Sequence, residues 1–331
     1  MSNAEPVAAS ISEIWPEVER IASAHHVIAA GTADLGAEFG DVFARWLDLG
    51  HEAGMTWLRR NREARRDPTT RFPWAKSAIV ILVPYSAERP HQDDRISTRI
   101  ARYALGDDYH DVLNEILKEI ENAILRAIPD TRTRRYVDTG PLSDRTLAAR
   151  AGLGWIGKNA MLIHPEHGSW TFIGALLTSL GDDRGGHEIT DQCGTCTRCI
   201  DACPTQAILT DRTVDSGRCI SYWTIEHRGP IEPSIASRIE GNLFGCDICN
   251  EACPWNASPP APHPAFEPRD EYRRRPIHEL LRIEQGEFSS LFRRSGVKRA
   301  RRDGIIRNAI LVTSAEHRDS TPTDSPDRDG T

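Results

Sequence analysis

Eight cysteines are the residues whose spacing most directly suggests chemistry. Residues 192–206 read QCGTCTRCIDACPTQ, in which proline follows the fourth cysteine. A second set opens with one isolated cysteine and closes with a Cys-x2-Cys-x3-Cys-Pro run. The two sets are Cys193, Cys196, Cys199 and Cys203, then Cys219, Cys246, Cys249 and Cys253. So many sulfur groups over so short a stretch indicate disulfides, a zinc site or an iron–sulfur site.

The spacing distinguishes among these three kinds of site. Disulfides are rare in the cytoplasm, where we expect this chain. A tetrahedral zinc site uses two cysteine pairs, so a third cysteine close behind a pair has no role there. An iron–sulfur cubane takes three thiolates from one tight loop and a fourth from elsewhere, and in two-cluster ferredoxins the cysteine before proline binds the other cluster. The spacing therefore predicts two 4Fe–4S clusters.

The ferredoxin rule assigns every cysteine to one of the two clusters. One cluster takes Cys193, Cys196, Cys199 and Cys253, and the other takes Cys203, Cys219, Cys246 and Cys249. A ferredoxin has two residues between the second and third of its closely spaced cysteines, whereas 26 residues separate Cys219 from Cys246 here. We expect this insert to be more than a connector, since it is long enough to reach an active site.

A glycine-rich loop follows a predicted helix. Residues 152–157, GLGWIG, match the dinucleotide-binding fingerprint, but that fingerprint is credible only between a strand and a helix. Nicotinamide binding is therefore not predicted. Gly154, Lys158 and Asn159 remain candidates for holding a phosphate- or amide-bearing ligand on the loop.

Two further acidic positions have competing interpretations. Asp138 ends a predicted strand before Thr-Gly-Pro, where it is either a turn residue or an acid that points into a cleft. Asp108 and His110 resemble the start of an Asp-x-His-x-x-Gly loop that supplies histidine to cobalt, but Leu113 stands where the glycine belongs. His110 is therefore not expected to bind cobalt.

The surrounding elements mix strands and helices. Residues 77–86 form a buried apolar run, residues 111–127 have the apolar period of a helix, and a strand is predicted at 134–138. A helix capped at Ser143 or Asp144 and a strand or hairpin arm at 168–180 follow. This alternation predicts an α/β or α+β domain over residues 1–185, ahead of a ferredoxin-like domain at 186–258.

Composition and charge describe the rest of the 331-residue chain. The longest apolar run is far too short to span a bilayer, and the N-terminal residues have no signal-peptide pattern. Residues 257–310 hold 12 Lys/Arg against 7 Asp/Glu and so carry +5; the whole chain carries −7, so the remainder carries −12. A basic segment on an acidic body indicates either a polyanion-binding surface or a solvated helix face.

Residues 313–331 are rich in Ser, Thr, Pro and Asp and are predicted to be a disordered tail.

Several long stretches together resemble the epoxyqueuosine reductase family. They are RYALGDDYHDVL, YVDTGPLSDRTLAARAGLGWIGKN, CISYWTIEHRGPI and FGCDICNEACPWN, and they occur in the family's order between about Glu38 and the RNAIL stretch. The resemblance implies a cobalamin-dependent enzyme with two 4Fe–4S clusters that reduces epoxyqueuosine to queuosine at the wobble position of tRNA. It implies a cobalamin-binding catalytic domain, then the cluster domain, then HEAT-like helices, here shortened to residues 259–312.

The resemblance also assigns roles to particular residues. Asp138 corresponds to the family's proton donor, and Ser221 and Asp247 correspond to residues near cobalamin. Arg228 stands in place of a lysine that faces tRNA. An acid of this kind is expected to be partly buried, because burial would let it keep its proton near neutral pH.

The basic C-terminal segment is the second place where we expect tRNA. Lys298, Arg299, Arg301 and Arg302 fall within five residues. On one continuous helix, positions 298, 301 and 302 would share a face and hold RNA phosphates, while Val297, Ile305 and Ile306 would face the protein.

Partners and alternatives complete the prediction. We expect a cytoplasmic monomer without membrane contact that receives electrons from an external flavodoxin- or ferredoxin-type donor. Two alternatives stay open. One is a reductive-dehalogenase-like corrinoid iron–sulfur enzyme for a small molecule, for which an export signal would be expected. The other is a plain electron carrier, which would not need about 185 residues ahead of its clusters.

Overall fold

A computed structural model describes residues 10–36, 39–87, 93–239 and 241–319. Its strands are β1 (Ala29–Asp34), β2 (Ser77–Pro84), β3 (Thr133–Tyr136), β4 (Trp155–Ile156), β5 (Leu162–Ile163) and β6 (Thr171–Thr178). Its α-helices are α1 (Ile11–Ala24), α2 (Val42–Asp48), α3 (Arg62–Arg66), α4 (Tyr109–Ala127), α5 (Asp144–Arg150), α6 (Arg198–Asp201), α7 (Pro233–Ala236), α8 (Ile248–Glu251), α9 (Asp270–Arg274), α10 (Gln285–Leu291) and α11 (Arg301–Asp319). Short 3₁₀ helices include Thr56–Asn61, Ile277–Arg282 and Gly296–Ala300, and Tyr222–Glu226 is a π-helical turn.

A four-stranded sheet forms the centre of the N-terminal half. The strand order is β1-β2-β6-β3, and every neighbouring pair is antiparallel. Every residue of β2 is buried, as expected for the apolar run at 77–86. Its side chains alternate between two cores, with Ile79 and Ile81 on one face and Val80 and Leu82 on the other. The sheet is therefore covered on both faces.

Helices α1 and α4 cover one face of this sheet. The buried positions of α4 recur at the three- and four-residue spacing that the sequence predicted for 111–127: Leu113, Ile116, Leu117, Ile120, Ala123 and Ile124. The helix begins two residues earlier than predicted, because the Asp108 side chain accepts a hydrogen bond from the His110 N–H and caps it. Helix α5 packs on the opposite face. Since all sheet pairings are antiparallel, this mixed α/β half is of the α+β type.

The cysteine-rich half contains short helices between loops. Helices α6 and α8 each span four residues within a cysteine run, and the β4–β5 hairpin packs against this half. Trp155 and Ile163 of the hairpin lie in one apolar cluster with Cys253. The hairpin, encoded before residue 186, is thus part of the wall around the cysteines.

The C-terminal segment shares a hydrophobic core with earlier parts of the chain. Ile100 and Leu105 of the N-terminal half, Phe244 of the insert and Phe292 of the C-terminal segment are fully buried in the same cluster. The buried Asn308 of α11 donates hydrogen bonds to the Thr224 and Leu243 carbonyl oxygens. The cores therefore cross the predicted limits at 185 and 258.

Two predictions for the C-terminal segment were wrong. The helix predicted across positions 298–302 is broken, because Arg301 has φ 61° between the 3₁₀ helix Gly296–Ala300 and α11. Lys298 and Arg301 therefore do not share a helix face, although Val297 and Ile305 are buried as predicted. Helix α11 also continues to Asp319, past the predicted start of the tail at 313. The remainder of that predicted tail, 320–331, lies outside the described residues.

Among the described residues, no helix combines the length and the apolar character needed to cross a membrane.

Candidate active site and iron–sulfur centres

The Asp138 turn follows directly from the end of β3. Asp138 has φ 53°, a left-handed conformation that Asp tolerates better than most side chains. Two residues on, a Cβ at Gly140 would lie 2.2 Å from the Tyr136 ring, so the turn can pack closely only with glycine there. Asp138 is therefore a turn residue, and its exposed carboxylate lies beside the N-terminus of α4. Tyr109 at the start of that helix donates a hydrogen bond of 2.8 Å to Asp138 Oδ2.

The expectation that Asp138 is partly buried was wrong. Its side chain is 66% exposed. The buried carboxyl is that of Asp144, whose Oδ1 is enclosed and has no hydrogen-bond partner among the described residues. Burial, and then repulsion from the Asp138 charge, raise the pKa of Asp144 to about 7. The Asp138 N–H donates a hydrogen bond to the Asp144 carboxyl, so the two acids are directly coupled.

His110 lies on the other side of Asp138. Its Nδ1 is 2.7 Å from Asp108 Oδ1, and its Nε2 is 3.8 Å from Asp138 Oδ2. Burial alone would lower the pKa of His110, but the hydrogen bond and charge of Asp108 outweigh burial and raise it. His110 is thus held between two carboxylates.

The first cysteine group surrounds one cavity. Its cysteines are Cys193, Cys196, Cys199 and Cys253, the set that the ferredoxin rule assigns to one cluster. The same cavity is lined by Lys158, Asn159 and Trp255. The four thiols are close enough for charge on one to affect another, since Cys253 and Cys193 both raise the pKa of Cys199 after burial, its largest cause.

The three loop candidates for ligand binding lie beside this cavity. The Lys158 Nζ donates to the Gly194 and Cys196 carbonyl oxygens at 2.7 and 2.9 Å and so braces the cysteine loop. Asn159 is buried and donates to Asn250 Oδ1. Gly154 faces backbone, because a Cβ there would lie 2.3 Å from the Ile163 carbonyl oxygen. The glycine loop follows α5 and leads into β4, so it has no helix on which a dinucleotide phosphate would rest.

The second cysteine group consists of partly buried thiols. Its members are Cys203, Cys219, Cys246 and Cys249, and their charges act on one another. Burial raises the pKa of the Cys246 thiol to about 12 and that of Cys249 well above its usual value. Iron must therefore displace protons from thiols that otherwise keep them, and this couples cluster assembly to proton release.

A mononuclear zinc site and an iron–sulfur cluster require different separations of their thiolates. Thiolates on a single zinc ion lie about 3.8 Å apart, as tetrahedral geometry with Zn–S bonds of about 2.3 Å requires. Within the described part of the chain, no three His, Cys, Asp or Glu side chains are grouped to hold one metal ion. A cubane separates its thiolates further, since four irons and four sulfides lie between them.

Ser221 and Asp247 lie next to the second cysteine group. The Ser221 N–H and hydroxyl hydrogen-bond to the Cys219 sulfur. Asp247 is buried, and its Oδ2 accepts a 2.8 Å hydrogen bond from the Arg102 N–H. Both residues are therefore placed by the cysteine loops, and Asp247 also contacts the N-terminal half.

A row of tyrosines connects Asp138 with the second cysteine group. After burial, the charges of Asp138, Glu226 and Asp247 raise the pKa of Tyr103. The pKa of Tyr85 is raised by burial and then by Asp247 and Cys249. The Tyr103 ring lies 6.3 Å from that of Tyr109, which donates a hydrogen bond to Asp138, and 6.0 Å from that of Phe244, two residues before Cys246. Packed aromatic side chains thus link Asp138 to the second cysteine group.

The five predicted tRNA-binding residues differ in their surroundings. Arg228 donates to the Ile225, Ala300 and Arg299 carbonyl oxygens, and Arg302 donates from Nε to the Ile283 carbonyl oxygen. Arg299 makes a two-pronged ion pair with Glu226, at 2.8 and 3.1 Å. These three guanidinium groups have structural roles. Lys298 and Arg301 are exposed and are the predicted residues most open to an external polyanion.

Sequence reasoning missed three side chains around the acid. The sequence pattern placed Tyr109 only within the Asp-x-His stretch and Asp144 only as a possible helix cap. It did not predict that either residue contacts Asp138. Neither contact with Asp138 has a sequence signal, because a tight turn and the start of α4 create both. Glu226 was also missed, and only its place in the long insert hinted at a role.

Two family models match parts of this chain. The family model described as 4Fe-4S double cluster binding domain matches residues 192–256, and the model described as Epoxyqueuosine reductase QueG, DUF1730 matches residues 65–139. The epoxyqueuosine reductase of Synechocystis sp. is 38% identical over 267 residues, which cover 80% of this chain and 91% of the relative. That of Gloeobacter violaceus is 38% identical over 297 residues, which cover 88% and 92% of the two chains.

Solved structures show the same relationship. An epoxyqueuosine reductase crystallised with an epoxyqueuosine-modified tRNA-Tyr stem loop superposes with a TM-score of 0.82 at 31% identity, covering 92% of this chain and 82% of that one. The Bacillus subtilis epoxyqueuosine reductase, described with its catalytic aspartate loop swung out of the active site, gives 0.82 at 30% identity with the same coverage. With relatives of this identity over most of its length and a double-cluster domain around its eight cysteines, the chain belongs to the epoxyqueuosine reductase family.

Proposed function

We propose that this protein reduces the epoxide of epoxyqueuosine in tRNA to the alkene of queuosine, with Asp138 as the acid. The observation that carries this proposal is the run of packed aromatic side chains from Asp138 through Tyr109 and Tyr103 to Phe244, two residues before Cys246 of the second cysteine group. Family membership supports the substrate. The tRNA stem loop bound to a relative supports tRNA as the partner.

The reaction needs electrons and protons in equal number. Converting an epoxide to an alkene breaks both carbon–oxygen bonds, consumes two electrons and two protons, and releases the oxygen as water. The leaving oxygen must gain protons as its bonds to carbon break, so an acid within hydrogen-bond reach accelerates the step. The modified base must also leave the stacked anticodon loop to reach this acid.

Asp138 is accessible to a substrate because it is exposed, and neighbouring side chains hold its carboxyl group in place. The Tyr109 hydroxyl donates a hydrogen bond to Asp138 Oδ2. The Nε2 of His110, whose pKa is raised, lies 3.8 Å from the same oxygen. Asp144 accepts the Asp138 N–H and can hold a proton near neutral pH. Together these residues position the carboxyl group and supply a nearby site from which its proton can be replaced.

The double-cluster domain carries two 4Fe–4S clusters, and we assign their ligands by cysteine group. Cys193, Cys196, Cys199 and Cys253 hold the first cluster, and Cys203, Cys219, Cys246 and Cys249 hold the second. Each cluster transfers one electron at a time, so two transfers serve each epoxide. The second group is the one within reach of the tyrosine region, which supports it as the last donor before the substrate.

Cobalamin is the family's further cofactor, and when bound it supplies a strongly reducing cobalt centre. Ser221 and Asp247 fit as its contacts in this chain, since Ser221 bonds a cysteine of the second group and Asp247, next to Cys246, also contacts the N-terminal half. Gly154, Lys158 and Asn159 fit less well, because each is packed against backbone or beside the first cysteine group. We therefore assign corrin binding to Ser221 and Asp247, and bracing of the first cluster to Lys158.

The remaining assignments concern architecture and partners. We infer that residues 10–185 bind cobalamin and that the helices from α9 to α11 are a shortened HEAT-like unit that supports RNA. The exposed Gly194 and Thr195 beside the first cysteine group support docking of a flavodoxin- or ferredoxin-type donor there. We place the reaction in the cytoplasm, where tRNA is found, and propose that the protein acts as a monomer.

An anaerobic turnover assay tests the function and the acid together. Purified protein with reconstituted clusters, cobalamin and a chemical reductant should convert epoxyqueuosine in tRNA to queuosine, as followed by mass spectrometry of the digested RNA. Asp138→Asn should keep its iron content and lower kcat about 10²- to 10⁴-fold, the usual contribution of a general acid. Asp130→Asn, an exposed aspartate before β3, is the matched control and should keep parental turnover.

Two results would contradict the proposal. Parental turnover by Asp138→Asn would reduce Asp138 to a turn residue. Reduced clusters that pass electrons to an acceptor protein but never to epoxyqueuosine-tRNA would favour a plain electron carrier.

A further inference from the structure

Trp57 is an exposed aromatic side chain that the proposed mechanism does not use. It lies on the 3₁₀ helix Thr56–Asn61 and is 38% exposed. The large apolar side chains that are exposed in the described part of the chain are Val42, Leu49, Trp57 and Ile310. Trp57 is the aromatic member of that set.

A fixed cation covers part of this ring. The Arg299 guanidinium carbon is 5.3 Å from the Trp57 ring centroid, within cation–π range. Arg299 is held by Glu226, whose side chain is only 17% exposed and bonds both Nε and an Nη of the guanidinium. Glu226 therefore fixes the position of the Arg299 guanidinium group, which packs against the Trp57 ring.

This pair is linked to the acid by packed side chains. The 3₁₀ helix Gly296–Ala300 carries Arg299, and a Cβ at Gly296 would lie 3.6 Å from the Tyr103 ring. The Tyr103 ring is 6.3 Å from that of Tyr109, which donates a hydrogen bond to Asp138. The helix that holds Arg299 against Trp57 therefore packs beside the aromatic side chains that lead to Asp138.

Positive charge flanks the ring on two chain segments. Arg60 is exposed on the same 3₁₀ helix, and Lys298 and Arg301 are exposed next to Arg299. An aromatic platform between exposed cations is the combination with which proteins bind single-stranded nucleic acid. A protein partner would more commonly meet an apolar patch without this excess of positive charge.

We propose that Trp57 is a stacking platform for an unpaired base of the tRNA anticodon loop, the neighbour of the base that reaches Asp138. A base that leaves the stack exposes a face of its neighbour, and an aromatic ring can replace the lost stacking. Arg299 lies 5.3 Å from the centre of the Trp57 ring, and 38% of the tryptophan remains exposed. This inference rests on the proposed tRNA substrate.

The first test measures RNA binding by fluorescence anisotropy, with clusters and cobalamin in place. The probe is a labelled anticodon stem loop that carries epoxyqueuosine. Trp57→Ala should weaken binding about 5- to 150-fold, which corresponds to about 1–3 kcal/mol for one stacked base. Trp57→Phe should keep most of the affinity, because it keeps an aromatic face. Leu49→Ala is the matched control: it removes a side chain that is 65% exposed and should leave binding within twofold of the parental value.

The second test identifies the stacked base. Stem loops with one abasic nucleotide at each loop position are titrated against the parental protein and Trp57→Ala. We expect one position beside the modified nucleotide to weaken parental binding and to have no further effect on Trp57→Ala. Equal abasic losses in the two proteins would overturn the proposal, as would parental affinity in Trp57→Ala.

These outcomes separate the inference from the proposed function. If the parental protein converts the tRNA while Trp57→Ala binds it normally, only the stacking role is wrong. If the parental protein neither binds nor converts the RNA, the proposed function itself is wrong. Should Trp57→Ala lose its iron, the abasic series on the parental protein and on Trp57→Phe still decides, because a base stacked on the ring must be detectable in both.

Discussion

Replacing Asp144 by Asn should flatten the dependence of stability on pH. The Asp144 carboxyl has a pKa of about 7 in the folded protein, raised chiefly by burial, against about 3.9 in an unfolded chain. Its folded form therefore holds protons more tightly than its unfolded form. Stability contributed by this group is greatest at low pH and is lost as pH rises from about 4 to about 7, where the folded carboxyl finally ionises.

The size of the effect follows from these two pKa values. Between pH 6 and pH 8 the loss is about 1.4 kcal/mol, roughly one pKa unit of linkage. Unfolding entropy of about 2.1 cal/mol/K per residue gives about 0.7 kcal/mol/K for 331 residues, so the Tm should fall by about 2 °C from this group alone. Asn cannot ionise but can still accept the Asp138 N–H, so the variant should lack this part of the fall.

The assay is anaerobic thermal unfolding followed by circular dichroism at pH 6 and pH 8, with one scan rate and matched cluster content. Between pH 6 and pH 8, the Tm of the parental protein should fall by about 2 °C more than the Tm of Asp144→Asn. Asp130→Asn removes an exposed carboxyl and should behave as the parental protein does. Asp138→Asn should show an intermediate fall, because the Asp138 charge is the second cause of the shift. Equal falls in the parental protein and Asp144→Asn would refute the assignment of a buried, raised carboxyl.

Two further predictions concern iron and RNA. Cys203→Ser should lower iron from about eight to about four per chain and leave the spectrum of the first cluster, since this cysteine lies with the second group. Retention of the second cluster together with loss of the first would contradict the crossed ligation. Replacing both Lys298 and Arg301 by Ala should weaken tRNA binding and lower the slope of log affinity against log salt by about 1.4–1.8, at 0.7–0.9 per phosphate contact. The control Arg273→Ala/Arg274→Ala removes two exposed charges of the same basic segment; an equal change of slope in both pairs would show a general charge effect.

Regularly patterned parts of this protein were predictable from sequence. The alternation within β2 and the three- and four-residue period of α4 depend only on which positions are apolar, so both elements were predicted and confirmed. The cluster cysteines could also be predicted from sequence, because a cubane needs three thiolates on one short loop and that requirement constrains their spacing. The double-cluster match over residues 192–256 agrees with this prediction.

Features that depend on contacts distant in sequence were not predictable. The helical period at 297–310 did not reveal the break at Arg301, because packing of Val297 and Ile305 into one core outweighs local helix preference. Nor could sequence tell that Arg299 is bound to Glu226, 73 positions away, while Lys298 stays exposed. Charge alone suggested RNA contact for both.

The candidate acid shows the same division. Sequence and resemblance together singled out Asp138, but they predicted its burial wrongly. Burial depends on which surfaces meet: the turn after β3 exposes Asp138, and the start of α5 encloses the Asp144 carboxyl six residues later. The amino-acid sequence thus determined which groups can ligate iron or donate a proton. The tertiary structure decided which carboxyl lies in water, which is buried with its pKa raised, and which cations remain free to meet RNA, because desolvation and pairing arise only when distant segments pack together.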